Sequence, residues 1–301
     1  MKHLLRLQDL RKEDIFSILN LADQLKYEQA HGIPHPRLAG KTLGMIFERA
    51  STRTRISFEV GMYQLGGMAL FLSAGDLQFG RGEPMKDTAR VLSRLVDGIM
   101  IRAHSQADIE ELARYATVPV INGLSDTAHP CQALADLMTI RERKGALAGL
   151  RLGFVGDGNN VARSLITGCL QVGMAVTLAC PSGYEPADEL LAQAKALGDF
   201  TLTHDPLEAA RNADVLYTDV WTSMGMEAEA AVRARDFAGY QLDDRLLAAA
   251  RPDRMVLHCL PAHRGEEITD AVFEAHAEEI FDQAENRLHV QKAVLVRLMK
   301  P

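Results

Sequence analysis

At 301 residues, 47% of them hydrophobic and 24% charged, the chain has the make-up of a soluble globular protein and the length of two domains, because single cores rarely grow past about 250–300 residues. A formal net charge of −7 argues against a nucleic-acid partner or an anionic membrane surface, whereas a small anionic substrate stays open because local basic clusters decide it. The cysteines Cys131, Cys169, Cys180 and Cys259 show no C-x-x-C pairing, which speaks against structural zinc and a disulfide framework and fits a reducing cytoplasm.

Met1 to Arg6 starts like an export signal, but charges at Arg6, Asp9, Arg11, Lys12, Glu13 and Asp14 interrupt any apolar core, so neither a signal nor a membrane span is expected. Ile15, Ile18, Leu19, Leu21, Ala22 and Leu25 then predict an amphipathic helix to about Tyr27. Pro34, Pro36 and Gly40 break it, and Thr42 to Phe47 reads as a buried strand. Ser51 and Thr52 follow as helix starters, ahead of an apolar stripe through Ile56, Phe58, Val60, Tyr63 and Leu65. The turn Ser51-Thr52-Arg53-Thr54-Arg55 therefore brings free N–H groups, a helix dipole, two arginines and three hydroxyls together. That density favours a site for a tetrahedral dianion over an ordinary cap with surface arginines.

Met68 to Leu72 is a short strand, and a glycine-rich polar loop from Ser73 to Pro84 carries Gln78. A helix over 86–96 leads to a strand, Asp97 to Arg102, that ends on its arginine. Ser105 caps a helix to Ala116, and Val118 to Asn122 is a further strand. A loop then delivers His129-Pro130, and a helix begins at Cys131-Gln132. Strand–helix alternation predicts a parallel sheet whose ligands sit at the carboxyl ends of the strands. Ser51, Arg102 and His129 all fall on that rim. A lone histidine in a loop is more often structural, but a neutral imidazole here, in a turn fixed by Pro130, would polarise a carbonyl oxygen.

The charged segment 141–145 marks the domain junction, and a second α/β series starts at Leu150. Its strands are expected at 151–155, 175–179, about 201–203, 214–219 and 254–259, with helices around 164–172, 188–197, 207–212 and 243–250. Two linked domains, each a parallel sheet flanked by helices with the active site in the cleft between them, is the expected architecture. Gly156-x-Gly158 invites a dinucleotide reading, but Val161 stands where the third glycine belongs and no acidic residue closes the next strand. The glycines then mean a tight turn, and Asn159 and Asn160 suit an amino-acid head. Asp219, before Trp221-Thr222-Ser223-Met224-Gly225, reads equally well as a partner for an ammonium group and as a helix cap. His258-Cys259 suggests a thiolate pair, yet neighbouring strand residues face opposite ways. Cys259 is therefore read as a lining residue near a substrate amine, and His258, Cys259 and His263 lack regular metal-ligand spacing. Asp282 to Arg287 opens the last helix, from which Arg287 returns a positive charge.

Ser-Thr-Arg-Thr-Arg, Met-Ile-Arg, His-Pro-Cys-Gln, Asp-x-x-x-Ser-Met-Gly, His-Cys-Leu-Pro and Glu-Asn-Arg stand in the order of the aspartate/ornithine carbamoyltransferase superfamily. The chain resembles its ornithine branch from about residue 3 to 299. The resemblance implies a carbamoyl phosphate-binding domain over 1–143, with the C-terminal helix 284–301 packing back on it, and an ornithine-binding domain over 144–283. It implies that Ser51, Thr52, Arg53, Thr54, Arg102 and Arg287 hold the phosphate. His129 and Gln132 bind the carbamoyl group, with Pro130, Cys131 and the backbone at Cys259-Leu260 alongside. Asn160, Asp219, Ser223 and Met224 form the ornithine site, and Arg102, His129 and Cys259 are the catalytic residues. It further implies a cytoplasmic homotrimer in which Gln78 reaches the neighbouring subunit's site, and no metal or cofactor. A Ser-Met-Gly loop supplies no cation for a second substrate carboxylate, which favours ornithine over aspartate. Other amine acceptors, putrescine or an N-acylated ornithine, are the alternative within the class. A non-catalytic amino-acid or anion-binding protein and a nicotinamide-dependent reductase are the alternatives outside it. Compact loops are expected around 187–199 and 226–236.

Overall fold

A computed structural model describes residues 1–77, 82–223 and 225–300, with the side chains of Asp76 and Glu227 left aside. The chain forms two compact units, residues 1–135 with 286–301 and residues 136–285. It passes from the first to the second inside one helix and returns inside another.

Unit 1 begins with α1 (Lys12–Ala30), whose Ile15, Ile18, Leu19, Ala22 and Leu25 are buried. Next come β1 (Thr42–Phe47), α2 (Thr52–Gln64), β2 (Met68–Ser73), α3 (Met85–Leu92), β3 (Gly98–Arg102), α4 (Gln106–Tyr115) and β4 (Val120–Leu124). The four strands form a parallel sheet in the order β2-β1-β3-β4. β1, β3 and β4 are buried almost throughout, as apolar strands covered on both faces should be. β2 is the edge: none of its residues is fully buried, and Met68 and Phe71 are exposed.

α5 (Pro130–Lys144) carries the chain across into unit 2. There follow β5 (Arg151–Val155), α6 (Asn160–Gln171), β6 (Ala175–Ala179), α7 (Asp188–Leu197), β7 (Phe200–Thr203), α8 (Pro206–Ala210), β8 (Val215–Thr218), α9 (Ala230–Asp236), α10 (Asp244–Ala249), β9 (Met255–His258), α11 (Asp270–Ala275) and α12 (Ala277–Met299), the last returning to unit 1. Its five strands pair in parallel as β7-β6-β5-β8-β9. Val155, Leu216, Trp221, Phe237, Leu246, Val256 and Phe273 belong to its core.

Two parallel sheets flanked by helices match the expected fold class. Among the details that differ, three have a clear physical reason. α6 starts at Asn160 rather than Ser164, because Asn159 caps it by accepting from Val161 and Ala162 N–H. The 226–236 stretch holds α9 instead of a plain loop, fixed by Arg233 in its interior. α12 begins at Ala277, not near Asp282, because Ile280 packs into the unit 2 core and extends the helix backwards. No helix among the described residues is long and apolar enough to cross a membrane.

Each sheet reverses its strand order once. In unit 1 the chain builds β2 on one side of β1 and β3 on the other; in unit 2 it builds β6 on one side of β5 and β8 on the other. Open parallel sheets bind ligands at the carboxyl ends of the strands flanking such a switch point.

Candidate active site

In unit 1 the switch point lies between Ser51, after β1, and Arg102, the last residue of β3. Ser51 takes the N-cap of α2, its Oγ accepting from Thr54 N–H at 3.2 Å and donating to Thr54 Oγ1 at 3.1 Å. The cap reading and the anion reading are thus not rivals: the cap leaves the first-turn N–H groups of α2 gathered at one spot. The pairing of β3 with β4 skips Gly123, passing from Ile101–Asn122 to Arg102–Leu124, so the extra residue lies on β4; Arg102 itself is 3% exposed.

Arg287, 4% exposed on α12, joins this turn to the next element: Nη2 donates to Thr54 Oγ1 at 2.8 Å and Nη1 to Gln132 Oε1 at 3.1 Å. His129 ends the loop after β4, and its carbonyl accepts from Gln132 and Ala133 N–H, starting α5. Burial, then Arg287, Arg102 and Arg53, hold its imidazole well below the usual 6.5. His129 is therefore neutral at physiological pH and keeps one N–H to give. The same effect reports that three arginines are gathered about one imidazole.

These motifs also hold residues outside that bonded group. Arg55 is exposed, donates to Glu59 at 3.0 Å and lies over the Phe71 ring at 3.9 Å. The two-arginine turn expected from sequence therefore offers Arg53 alone. Thr52 is exposed. Pro130 has no N–H to donate, and the Cys131 thiol points back to the Asn122 carbonyl, with burial raising it to about 12. Gln78 and Met224 lie outside the described residues.

Unit 2 gathers a second set around β5 and β8. Asp219, 6% exposed, follows β8; Oδ2 accepts from Asn159 Nδ2 at 2.7 Å, and Oδ1 accepts from Cys259 Sγ at 3.0 Å. Asn159, rather than Asn160, is thus the amide on the aspartate, while Asn160 opens α6 half-buried beside it. Ser223 is half-buried, its carbonyl accepting from Met226 N–H. Gly158 confirms the tight-turn reading: a Cβ there would lie 2.5 Å from Pro186 Cδ and 2.6 Å from the Tyr184 carbonyl. The turn is filled by this chain's own backbone, so no dinucleotide phosphate has the close approach that its glycines would otherwise allow.

His258 and Cys259 send their side chains to different partners. His258 Nδ1 accepts from Leu260 N–H at 2.9 Å, which places the ring hydrogen on Nε2, donating to the buried Glu267 at 3.0 Å. Leu260 is held at φ +60°, a strained conformation for a residue with a side chain, of order 1–3 kcal/mol, of the kind that clusters at ligand sites. Asp219, His258 and Cys259 each put a donor atom within 4.8 Å of the others, as do His263, Glu266 and Glu267. A metal on the first group would have to displace the Leu260 or Glu267 bond of His258. Sequence reading missed Arg233 altogether. It is 5% exposed, donates to Asp157 at 2.7 Å, to Glu229 at 2.9 Å and to the Trp221 carbonyl at 2.9 Å, and so ties the segment after Asp219 to the turn after β5.

Family models match both parts of the chain: the carbamoyl-P binding domain of aspartate/ornithine carbamoyltransferase over residues 2–142, and the Asp/Orn binding domain over 148–298. The chain belongs to the aspartate/ornithine carbamoyltransferase family. Ornithine carbamoyltransferase of Pelobacter propionicus is 58% identical to it over 300 residues, 99% of this chain and 98% of that one. The solved ornithine carbamoyltransferase of Pyrococcus furiosus superposes with a TM-score of 0.95 at 54% identity, over 99% of this chain and 97% of that one. The more distant ornithine transcarbamoylase of Giardia lamblia, 31% identical, still gives 0.89 over 99% and 98%. Within this family the two half-sites correspond to two substrates, an acyl phosphate and an amine.

Proposed function

We propose that this enzyme transfers the carbamoyl group of carbamoyl phosphate to the δ-amine of L-ornithine, giving L-citrulline and phosphate. The observation that carries the reading is the Arg287 bridge between Thr54 and Gln132, set beside a neutral histidine ringed by arginines. A phosphate fits the hydroxyl and arginine side of that bridge, and a carbamoyl carbonyl fits its glutamine and imidazole side.

The reading assigns Ser51, Thr52, Arg53, Thr54, Arg102 and Arg287 to the phosphate, and His129 and Gln132 to the carbamoyl group. Pro130 and Cys131 contribute through the backbone that starts α5, alongside the Cys259-Leu260 backbone. Asn160, Asp219, Ser223 and Met224 take ornithine, with Asn159 holding Asp219. The free δ-amine has a pKa near that of lysine, about 10.4, and must be neutral to attack. Asp219 and Cys259 receive the ammonium and steer its nitrogen, and one ammonium proton is released to solvent, leaving the neutral amine. The amine lone pair forms a bond to the carbamoyl carbon, and the oxyanion is stabilised by Arg102, His129 and the α2 terminus. The carbon–oxygen bond to phosphate then breaks, and the surplus proton leaves with the phosphate. Family resemblance supports a homotrimer in which Gln78 enters the neighbouring site. Exposed apolar side chains on α2 (Ile56, Tyr63) and on the edge strand β2 (Met68, Phe71) suit burial against another copy of the chain. The cytoplasm suits four cysteines that form no disulfide.

Acceptor competition tests the assignment. Citrulline formation should dominate when ornithine, putrescine, N-acetylornithine and aspartate are offered together with carbamoyl phosphate. Turnover of another acceptor in preference to ornithine would overturn the roles of Asn160, Asp219 and Ser223.

A further inference from the structure

We infer that Asp136, Gln283 and Tyr217 are positioning residues, a buried polar cluster beneath the ends of β8 and β9 that sets where Asp219 and Cys259 are presented. The inference rests on the proposed roles of those two residues.

β9 is the edge of its sheet, so half of its N–H groups have no strand partner. α12 supplies the missing partner with side chains. Glu279 Oε2 accepts from Val256 N–H at 2.8 Å, and Gln283 Oε1 accepts from His258 N–H at 2.9 Å. The spacing works because four residues of helix rise about 6 Å, close to the roughly 6.6 Å between alternate residues of a strand. Glu279 and Gln283 thus stand in for a neighbouring strand.

Gln283 reads His258 in one orientation only. Its Nε2 donates to Asp136 Oδ1 at 2.7 Å and to Tyr217 Oη at 3.1 Å, and Tyr217 donates to Asp136 Oδ2 at 3.2 Å. A carboxylate only accepts, so Asp136 turns the Gln283 amide nitrogen toward itself and leaves the carbonyl for His258. Burial first, then Asp136, Cys259 and Asp219, push the Tyr217 phenol well above 10, which keeps it a donor. All three side chains are at most 1% exposed. A buried network of this kind adds little net stability over apolar packing, and its return is a unique arrangement. Here the arrangement is that of the site. His258 immediately precedes Cys259, Tyr217 lies two residues before Asp219, which follows the same strand, and Cys259 Sγ donates to Asp219.

The test is steady-state citrulline formation by Tyr217→Phe, which removes one hydroxyl, and Gln283→Leu, beside Cys259→Ala. The alkylation rate of Cys259, the least buried cysteine, provides a second readout. The expected result for the first two is a fall in kcat of about tenfold, the worth of one net hydrogen bond, with the KM for carbamoyl phosphate within about twofold of wild type and Cys259 alkylated faster. Unchanged kcat and alkylation with only a lower Tm in Tyr217→Phe would make the cluster merely structural and overturn the inference. Full activity of Cys259→Ala would overturn the site reading and the inference with it, whereas an impaired Cys259→Ala beside a normal Tyr217→Phe would overturn the inference alone.

Discussion

Among single residues, His129 concentrates the electrostatics of the site. Its folded pKa lies well below 6.5, so below pH 6.5 the unfolded chain binds a proton that the folded one declines. Stability should therefore fall as pH drops through 6.5 toward the folded pKa. Thermal melts between pH 7 and 5 should show a steeper loss for wild type than for His129→Gln, and parallel curves would contradict the neutral imidazole. The same variant loses the carbonyl-polarising donor, and kcat should fall by about 10²–10³-fold, the effect of removing one oxyanion-hole donor. Ser51, Arg102 and His129 were legible in the sequence because each follows an apolar run that could only be a strand. Asp157 with Arg233, and Asp136 with Gln283, were not. These pairs lie 76 and 147 positions apart, and no local pattern links residues that only the fold brings together.

At the level of elements, the strand ends do most of the positioning, and the helix starts supply the donors. α2, α5 and α6 all begin on or beside residues that were read as site candidates: Ser51 Oγ caps α2, the His129 carbonyl starts α5 and Asn159 Oδ1 caps α6. α9 adds what the sequence concealed. Its Arg233 was indistinguishable from Arg235, two residues on, until packing buried one and exposed the other. Because Arg233 holds the Trp221 carbonyl as well as Asp157, Arg233→Lys should loosen the segment after Asp219 while keeping the charge. Lysine lacks the planar fork that meets both groups at once. The KM for ornithine should rise about tenfold, as one charged hydrogen bond is worth about 1.5–3 kcal/mol, and that for carbamoyl phosphate should stay put. Equal increases in both KM values would contradict a role confined to unit 2.

For the molecule as a whole, the fold class followed from strand–helix alternation alone, whereas the return of the chain through α12 did not show in any pattern short of the Glu-Asn-Arg motif. That returning helix carries Lys292, fully buried in unit 1. Its Nζ lies 2.8 Å from both Gln29 Oε1 and Gln64 Oε1 and 3.3 Å from His35 Nε2. Burial lowers its pKa from 10.5 to about 8, with Glu28 pulling in the other direction. Between those values the unfolded chain holds a proton that the folded one has shed, so this lysine makes stability rise with pH across that window. Below about 8 both states are protonated and the penalty for burying the charge is complete. Melts at pH 7.5 and 9.5 should show a larger gain for wild type than for Lys292→Met, and equal gains would rule out a buried cation there. Carbamoyl transfer to ornithine from an arginine-held phosphate is the central claim. Its most direct measurement is the initial rate of citrulline formation from carbamoyl phosphate and ornithine by wild type, Arg53→Ala and Asp219→Asn. Rapid citrulline formation should collapse in Arg53→Ala through carbamoyl phosphate and in Asp219→Asn through ornithine. No citrulline from the wild-type protein, or undiminished rates in both variants, would contradict it.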